Sequence, residues 1–408
     1  MTWSDGGQKL SVKWKGAFTL SDDEKDIASM EDGATLTIAD GLVFKSELQL
    51  RGVNGRIERT FSKNGSRRDY EPEGRAFLAA TLDRLIKTSG LFARERVAKF
   101  LKRGGPDAVL AEIDKLGDSS YTHRIYYTEL ARQAELSESL LTRILQRAPA
   151  EMSSDYDKAT LFIMIARLPA VTESHRVQVA RAVQSISSDY DQRRTLAAIM
   201  DMRPLPASVA AGVLDAAGSI SSSYDRSLVL TEVAERGGLT PATSTAFMSL
   251  VRSMSSSYEQ RRVLTAVSKQ GALPAAVAAE AIKSTGSMSS SYDQAETLIK
   301  LIDNGGLSDA SADAFFQSAS HISSSYELSR VLRRAVDQSA MSDRILEGVL
   351  RTAARIGSGH ERANLLEAVA NKARVNGNAR QLYLAAAKGL GSFDENRALS
   401  ALVRSEAK

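Results

Sequence analysis

Through most of the chain the apolar residues fall on a fixed grid. One set is Met152, Ile186, Ile220, Met254, Met288, Ile322 and Ile356; a second is Phe162, Leu196, Leu230, Leu264, Leu298, Leu332, Leu366 and Leu399. Between the two sets stand Tyr156, Tyr190, Tyr224, Tyr258, Tyr292 and Tyr326, each 34 residues from the last. Weaker copies lie at Tyr121, His360 and Phe393. A fixed period of this size marks a repeat protein. In the second set a further apolar residue follows three positions on, as in Ile199, Val233, Val267 and Leu301. Spacing of three and four is one face of an α-helix.

The polar phrase between the two sets, clearest as Ile220 to Asp225, predicts the start of that helix. Ser222 with Asp225, Ser256 with Glu259 and Ser324 with Glu327 have the capping-box spacing. The serine hydroxyl satisfies an orphan N–H, and the carboxylate suits the positive helix end. Gly237-Gly238, Gly271 and Gly305-Gly306 then stop the helix, and Pro206, Pro241 and Pro274 open a second one. In one copy Ala246, Leu250 and Met254, with Phe247 and Val251 beside them, predict the buried stripe of that second helix. Two helices per repeat, each unable to bury its stripe alone, predict stacking into a solenoid. Eight or nine pairs at about 8–10 Å per helix extend roughly 80 Å. The Trp, Leu-Gly and Tyr pattern of tetratricopeptide repeats is absent, so a HEAT-like or generic αα-solenoid is the better description.

The first 70 residues alternate with period two instead. Lys9 to Lys15, Thr35 to Ile38, Glu47 to Leu50 and Gly55 to Phe61 read as four or five short antiparallel strands. Val12, Trp14, Ile38, Leu48, Leu50, Ile57 and Phe61 are the inward candidates, and Asn64-Gly65 is a hairpin turn. The acidic run Asp22 to Asp26 lacks the glycine and glutamate of an EF-hand and reads as a solvated loop. From Pro72 the period becomes helical, with Phe77, Leu78, Leu82, Leu85 and Ile86 in one stripe ending at Gly90. Leu91 to Leu116, broken at Gly104-Gly105, resembles a degenerate first repeat.

Composition narrows the function. The 408 residues include no cysteine, which removes thiolate chemistry and cysteine zinc sites. The net charge of +4 comes without a block of like charges, which disfavours a nucleic-acid tail. No apolar run reaches membrane-spanning length. His360-Glu361 begins a zincin-like motif, but Asn364 stands where the second histidine belongs. Arg193-Arg194 and Arg261-Arg262 hold equivalent places, yet Ser227-Leu228 and Ala295-Glu296 interrupt any continuous basic track, so these arginines read as solvated. The tyrosine column has two readings. It is an edge that binds an extended peptide or glycan, or each ring packs on the next repeat with its hydroxyl on a backbone group. The packing reading is preferred, because every interface poses the same problem.

The phrases Ser-Ser-Asp/Ser-Tyr-Asp/Glu around Tyr156 to Tyr326, with Phe18 to Ser29 and Gly104 to Leu110, resemble a known region. It is the soluble C-terminal sensor part of bacterial membrane metallopeptidases of the beta-lactam-sensor and antirepressor type. The resemblance implies a sensing or scaffold region whose zinc motif and membrane helices belong to a preceding domain, so no catalytic residue carries over.

The chain therefore reads as mainly α, an αα-solenoid of HEAT/TPR-like 34-residue repeats preceded by a small antiparallel β-rich domain. Residues 1–70 form the β-rich domain, 71–118 linking helices and the degenerate repeat, and 119–408 the solenoid. The expected role is a non-catalytic protein-binding or sensing scaffold with a protein or peptide partner. Tyr156, Tyr190, Tyr224, Tyr258, Tyr292 and Tyr326 are its candidate binding residues. Alternatives are the ligand-sensing part of a membrane-bound regulatory metallopeptidase, and a nucleic-acid-binding repeat protein. No cofactor, metal or catalytic residue is implied.

Overall fold

The computed structural model describes residues 2–4, 10–41, 45–271, 273–338 and 341–406. Lys9, read above as the start of a strand, lies outside them. The chain divides into two compact units, Met1–Leu161 and Phe162–Lys408.

Among the described residues unit 1 begins with eight strands: β1 (Thr2–Ser4), β2 (Ser11–Lys15), β3 (Phe18–Leu20), β4 (Ile27–Met30), β5 (Thr35–Asp40), β6 (Ser46–Val53), β7 (Arg56–Lys63) and β8 (Ser66–Arg68). Six form an antiparallel sheet in the order β1-β2-β5-β6-β7-β8, and β3 with β4 makes a separate hairpin. This exceeds the four or five strands expected, because β1, β3, β4 and β8 are too short to show an alternation. In register, Val12 faces Ile38, Ile38 faces Leu48, and Leu48 faces Phe61. All four are buried, so one apolar row crosses four strands. Trp14 and Ile57 lie at the edge of this core and are only partly buried. Asn64 and Gly65 both take positive φ, 53° and 78°, as a two-residue hairpin of the primed type requires.

The sheet's apolar face is covered by α1 (Arg75–Ser89), whose Leu78, Leu82 and Leu85 join the same core. Next comes α2 (Ala93–Ile113), broken at Gly104-Gly105, where Gly105 has a φ of +66°. The acidic run is solvated only in part: Asp22, Asp23 and Lys25 are exposed, but Glu24 and Asp26 are half-buried in ion pairs. Glu24 pairs with Arg96 at 3.0 Å and Lys99 at 3.2 Å, while Asp26 pairs with Arg59 at 3.1 Å and Arg75 at 3.2 Å. Cations far away in sequence come together on it, which no local pattern announces.

The tandem helices continue with α3 (Ser120–Gln133), α4 (Glu138–Glu151) and α5 (Asp155–Ala166). Unit 2 adds α6 (Glu173–Val183), α7 (Asp189–Ile199), α8 (Ala207–Ala217), α9 (Ser223–Glu235), α10 (Ser244–Ser253), α11 (Ser257–Ser268) and α12 (Ala275–Thr285). It ends with α13 (Ser291–Asp303), α14 (Ala312–Ala319), α15 (Ser325–Val336), α16 (Asp343–Ala353), α17 (Gly359–Lys372), α18 (Gly377–Ala387) and α19 (Ser392–Glu406). Within unit 2 each helix packs on the equivalent helix of the next repeat, α7 on α9 and α9 on α11, with α8 on α10 and α10 on α12. This is an αα-solenoid arrangement of tandem helix pairs after a small antiparallel sheet. Both apolar sets of the grid are buried from Met152 to Leu366, and Leu399 of the last helix is half-buried. The stripe expected on α10 is rotated. Phe247, Met248 and Val251 are buried, Leu250 is half-buried and Ala246 is exposed, because the larger side chains claim the core.

Candidate functional site

The tyrosine column begins with the serine phrase that precedes it. In unit 2, Ser188, Ser222, Ser256, Ser290, Ser324 and Ser358 are N-caps whose hydroxyls accept the N–H three residues on. Asp225 N–H reaches Ser222 at 3.1 Å and Glu259 N–H reaches Ser256 at 3.3 Å. Only this half of the expected capping box forms. The return bond is replaced by one from the neighbouring repeat. Ser257 accepts the N–H groups of Ser289 at 3.0 Å and Ser290 at 3.2 Å. Ser291 does the same for Ser323 and Ser324, and Ser325 for Gly357 and Ser358. Asp189 accepts the N–H groups of Ser221 at 3.0 Å and Ser222 at 2.8 Å. Burial raises the Asp189 carboxyl, but these hydrogen bonds outweigh that and hold it below its ordinary value. In unit 1, Ser120 meets the N–H groups of Ser153 and Ser154 in the same way.

Each residue of the phrase therefore has its own task. The residue just before the tyrosine ties its helix start to the next repeat, and the residue before that caps its own helix. A third task belongs to the residue two after the tyrosine. Gln192 and Gln260, both buried, donate to the carbonyls of Ile186 at 2.5 Å and Met254 at 2.8 Å. Arg226 and Arg362 reach Ile220 and Ile356 likewise. Burial pushes the Arg226 guanidinium below its ordinary range, with the Asp189 charge opposing it.

On this stiffened edge the tyrosines do not pack into the next repeat as expected. Tyr190, Tyr224, Tyr258, Tyr292 and Tyr326 of unit 2 are 52–60% exposed, and Tyr156 of unit 1 is 62% exposed. The second position of the helix projects them away from the seam between helices. What each ring in unit 2 meets is a guanidinium. Arg193 lies 5.0 Å from the Tyr190 ring, Arg262 5.5 Å from Tyr224, and Arg330 5.8 Å from Tyr326. Arg261 serves two rings, Tyr258 at 5.2 Å and Tyr292 at 5.6 Å.

The same arginines correct the reading of solvated cations. Nε of Arg193 pairs with Asp225, and Nε of Arg261 with Asp293, each at 2.7 Å and each one repeat further on. Where the repeat carries serine instead, a longer acid completes the contact: Ser227 donates to Glu259 at 2.5 Å. Arg330 bridges Glu296 at 2.6 Å and Glu327 at 2.7 Å. The hydrogen bond to Glu296 leads in raising its already high pKa. Arginines held at both ends lose little further entropy when a ligand binds, so they are pre-organised.

Among the described residues no group of three or more His, Asp or Glu is disposed to hold a metal ion. His360 stands in the tyrosine position, its Nε2 3.1 Å from the Asn364 side-chain amide. A buried ionic cluster lies in unit 1. There Arg96 joins Glu24, Glu112 and the Tyr126 hydroxyl, and this fastens the acidic run to the helices. Sequence reading missed it, since its members are up to 102 residues apart between Glu24 and Tyr126. It also missed Tyr383, fully buried, whose hydroxyl shares its one proton between the carbonyls of Leu366 at 3.1 Å and Ala398 at 2.9 Å.

No protein-family profile matches the chain, and no curated protein matches it. Among solved structures it is similar to a chain described as "Computational Design of Self-Assembling Cyclic Protein Homooligomers". The identity is 12% over 80% of this chain and 99% of that one, with a TM-score of 0.13. A likeness that weak carries no argument about function or assembly.

Proposed function

We propose that the chain is a non-catalytic scaffold that binds a protein or peptide, and that the tyrosine edge of unit 2 is its recognition surface. One observation carries this. Five large aromatic side chains stand more than half exposed at the same place on consecutive repeats, each steadied by an arginine. Tyrosine and arginine are among the residue types most enriched where proteins bind one another. A tyrosine offers large contact area at low entropic cost, and repetition along an array suits an extended ligand.

The test is affinity capture with the intact chain and with a Tyr190→Ala/Tyr224→Ala/Tyr258→Ala variant. A partner held by the native chain and lost by a variant of equal melting temperature supports the reading. Identical partners for both would sink it. The sequence resemblance favours a narrower form of the same role, the ligand-sensing part of a membrane-bound regulatory peptidase. That form requires membrane helices and a His-Glu-x-x-His motif encoded in the same reading frame, upstream of these repeats. Sequencing the gene with its upstream region decides it.

A further inference from the structure

The repeats of unit 2 are near-copies, so a departure at one of them stands out. The eleventh residue after Tyr190, Tyr224, Tyr258, Tyr292 and Tyr326 is Asp201, Glu235, Lys269, Asp303 and Asp337 in turn, while the first repeat has Arg167 after Tyr156. Of the first five, four are acids and Lys269 alone is a cation. Three of the acids are engaged, Asp201 near Arg236 at 3.9 Å, Asp303 with Arg334, and Asp337 with Lys372 at 3.7 Å. Among the described residues, neither Lys269 nor Lys300 has a carboxylate within 4.0 Å.

This charge reversal coincides with a groove. About 330 Å³ of space lies along α11 and is lined by residues of α9, α11 and α13. Tyr258 lines it together with Arg261, Arg262, Lys269 and Lys300, against a single carboxylate, Glu235. Arg261 and Arg262 are pre-set by Asp293 at 2.7 Å and Glu259 at 3.3 Å. Thr231 also lines the groove, and its buried hydroxyl has no partner in the protein. An unpartnered buried hydroxyl costs stability unless something bonds to it.

We infer that this groove takes an acidic peptide segment, with side-chain carboxylates held by Arg262, Lys269, Lys300 and the Thr231 hydroxyl. A neighbouring ligand residue then lies on the Tyr258 ring. Charge complementarity selects the class, since beyond the ion-paired Arg261 and Arg262 the lining adds Lys269 and Lys300 against Glu235 alone. The charges of the flanking repeats select peptide over nucleic acid. A phosphate backbone needs cations along its whole track, whereas the flanking repeats set Glu235 and Asp303 in the place of Lys269. The inference rests on the tyrosine edge being a recognition surface only in its use of Tyr258.

The test is fluorescence anisotropy on the full chain with a labelled oligoglutamate peptide, with labelled oligolysine and single-stranded oligo-dT alongside. Oligoglutamate binds saturably and more weakly as salt rises. Lys269→Glu/Lys300→Glu lowers its affinity about tenfold or more. Lys283→Glu/Lys388→Glu, which changes net charge equally but lies off the groove, leaves it in place. A glutamate is already accommodated at the equivalent Glu235, and a thermal melt checks that the variant folds. The inference is overturned if oligoglutamate fails to bind, if both double variants lose affinity alike, or if oligo-dT binds more tightly. Oligoglutamate failing while the triple-alanine variant still loses its partner overturns the groove alone. The groove result holding while that variant keeps its partner overturns only the tyrosine reading.

Discussion

The hydroxyl of Ser257 accepts the backbone N–H of Ser290, one repeat further along the chain, at 3.2 Å. It also takes the N–H of Ser289, so one small side chain satisfies two donors that open the next helix. Ser257→Ala leaves both short of a partner and costs about 1–3 kcal/mol. Ser256→Ala, which removes the cap of its own helix, costs about 1 kcal/mol. Urea unfolding measures the difference, and amide exchange locates it: Ser257→Ala speeds exchange at Ser289 and Ser290, whereas Ser256→Ala acts at Glu259. Unchanged exchange at Ser289 would remove the inter-repeat bond from the account.

Tyr258 is 57% exposed, so Tyr258→Ala removes little buried area. The lost contact with Arg261 is worth about 0.5–1 kcal/mol at an exposed site. The expected order is therefore the reverse of the one a packed ring gives, with the alanine change costing no more than loss of a cap. Denaturant melts of Tyr258→Ala and Ser256→Ala, run side by side, check this ordering.

Gln260 is 2% exposed and closes off the Met254 carbonyl. Gln260→Leu keeps the volume but strands that carbonyl, at a cost of about 1–3 kcal/mol. The melting temperature falls, and a variant as stable as the parent would show that the carbonyl finds another donor.

Burial alone raises the Glu24 carboxyl, but hydrogen bonds and charge from Arg96 and Lys99 outweigh it and hold the group below its ordinary 4.5. The unfolded chain then binds this proton at higher pH than the folded one. The stabilisation is complete above about pH 4.5 and is lost as pH falls through the folded pKa. Melting of unit 1, followed by amide exchange in β3 and β4, steepens in acid. Glu24→Gln flattens that dependence, and an unaltered acid slope in the variant would assign it to other carboxyls.

Tyr383 behaves in the opposite sense. Burial first, then the Glu367 charge, pushes its phenol well above the ordinary 10.0. Above that pH the unfolded chain releases a proton that the folded chain keeps, so stability falls as pH rises. Tyr383→Phe lessens the alkaline slope, to which the buried Tyr126 and Tyr127 also contribute, at a cost of about 1 kcal/mol at neutral pH from the lost hydrogen bond. Thermal melts across the alkaline range read both effects.

The period, the helix starts and the buried grid were legible in the residues because each depends on neighbours within one or two turns. A serine at the cap, a leucine six after the tyrosine and a glycine past the helix end act locally, and 34-residue repetition made their register plain. The strand pattern around Val12, Ile38, Leu48 and Phe61 was legible for the same reason. The fate of the tyrosines was not. An aromatic residue at a repeated position reads as core, and only the orientation of each helix on its neighbour shows that the second helical position faces outward. The arginines were misread alike, since Arg261 and Asp293 stand 32 residues apart and nothing in either sequence window joins them. Sequence by itself determined which residues begin, fill and end each helix of this protein. Tertiary structure alone decided which of them reach across to the next repeat, because that depends on stacking distance and direction, which local preference does not encode.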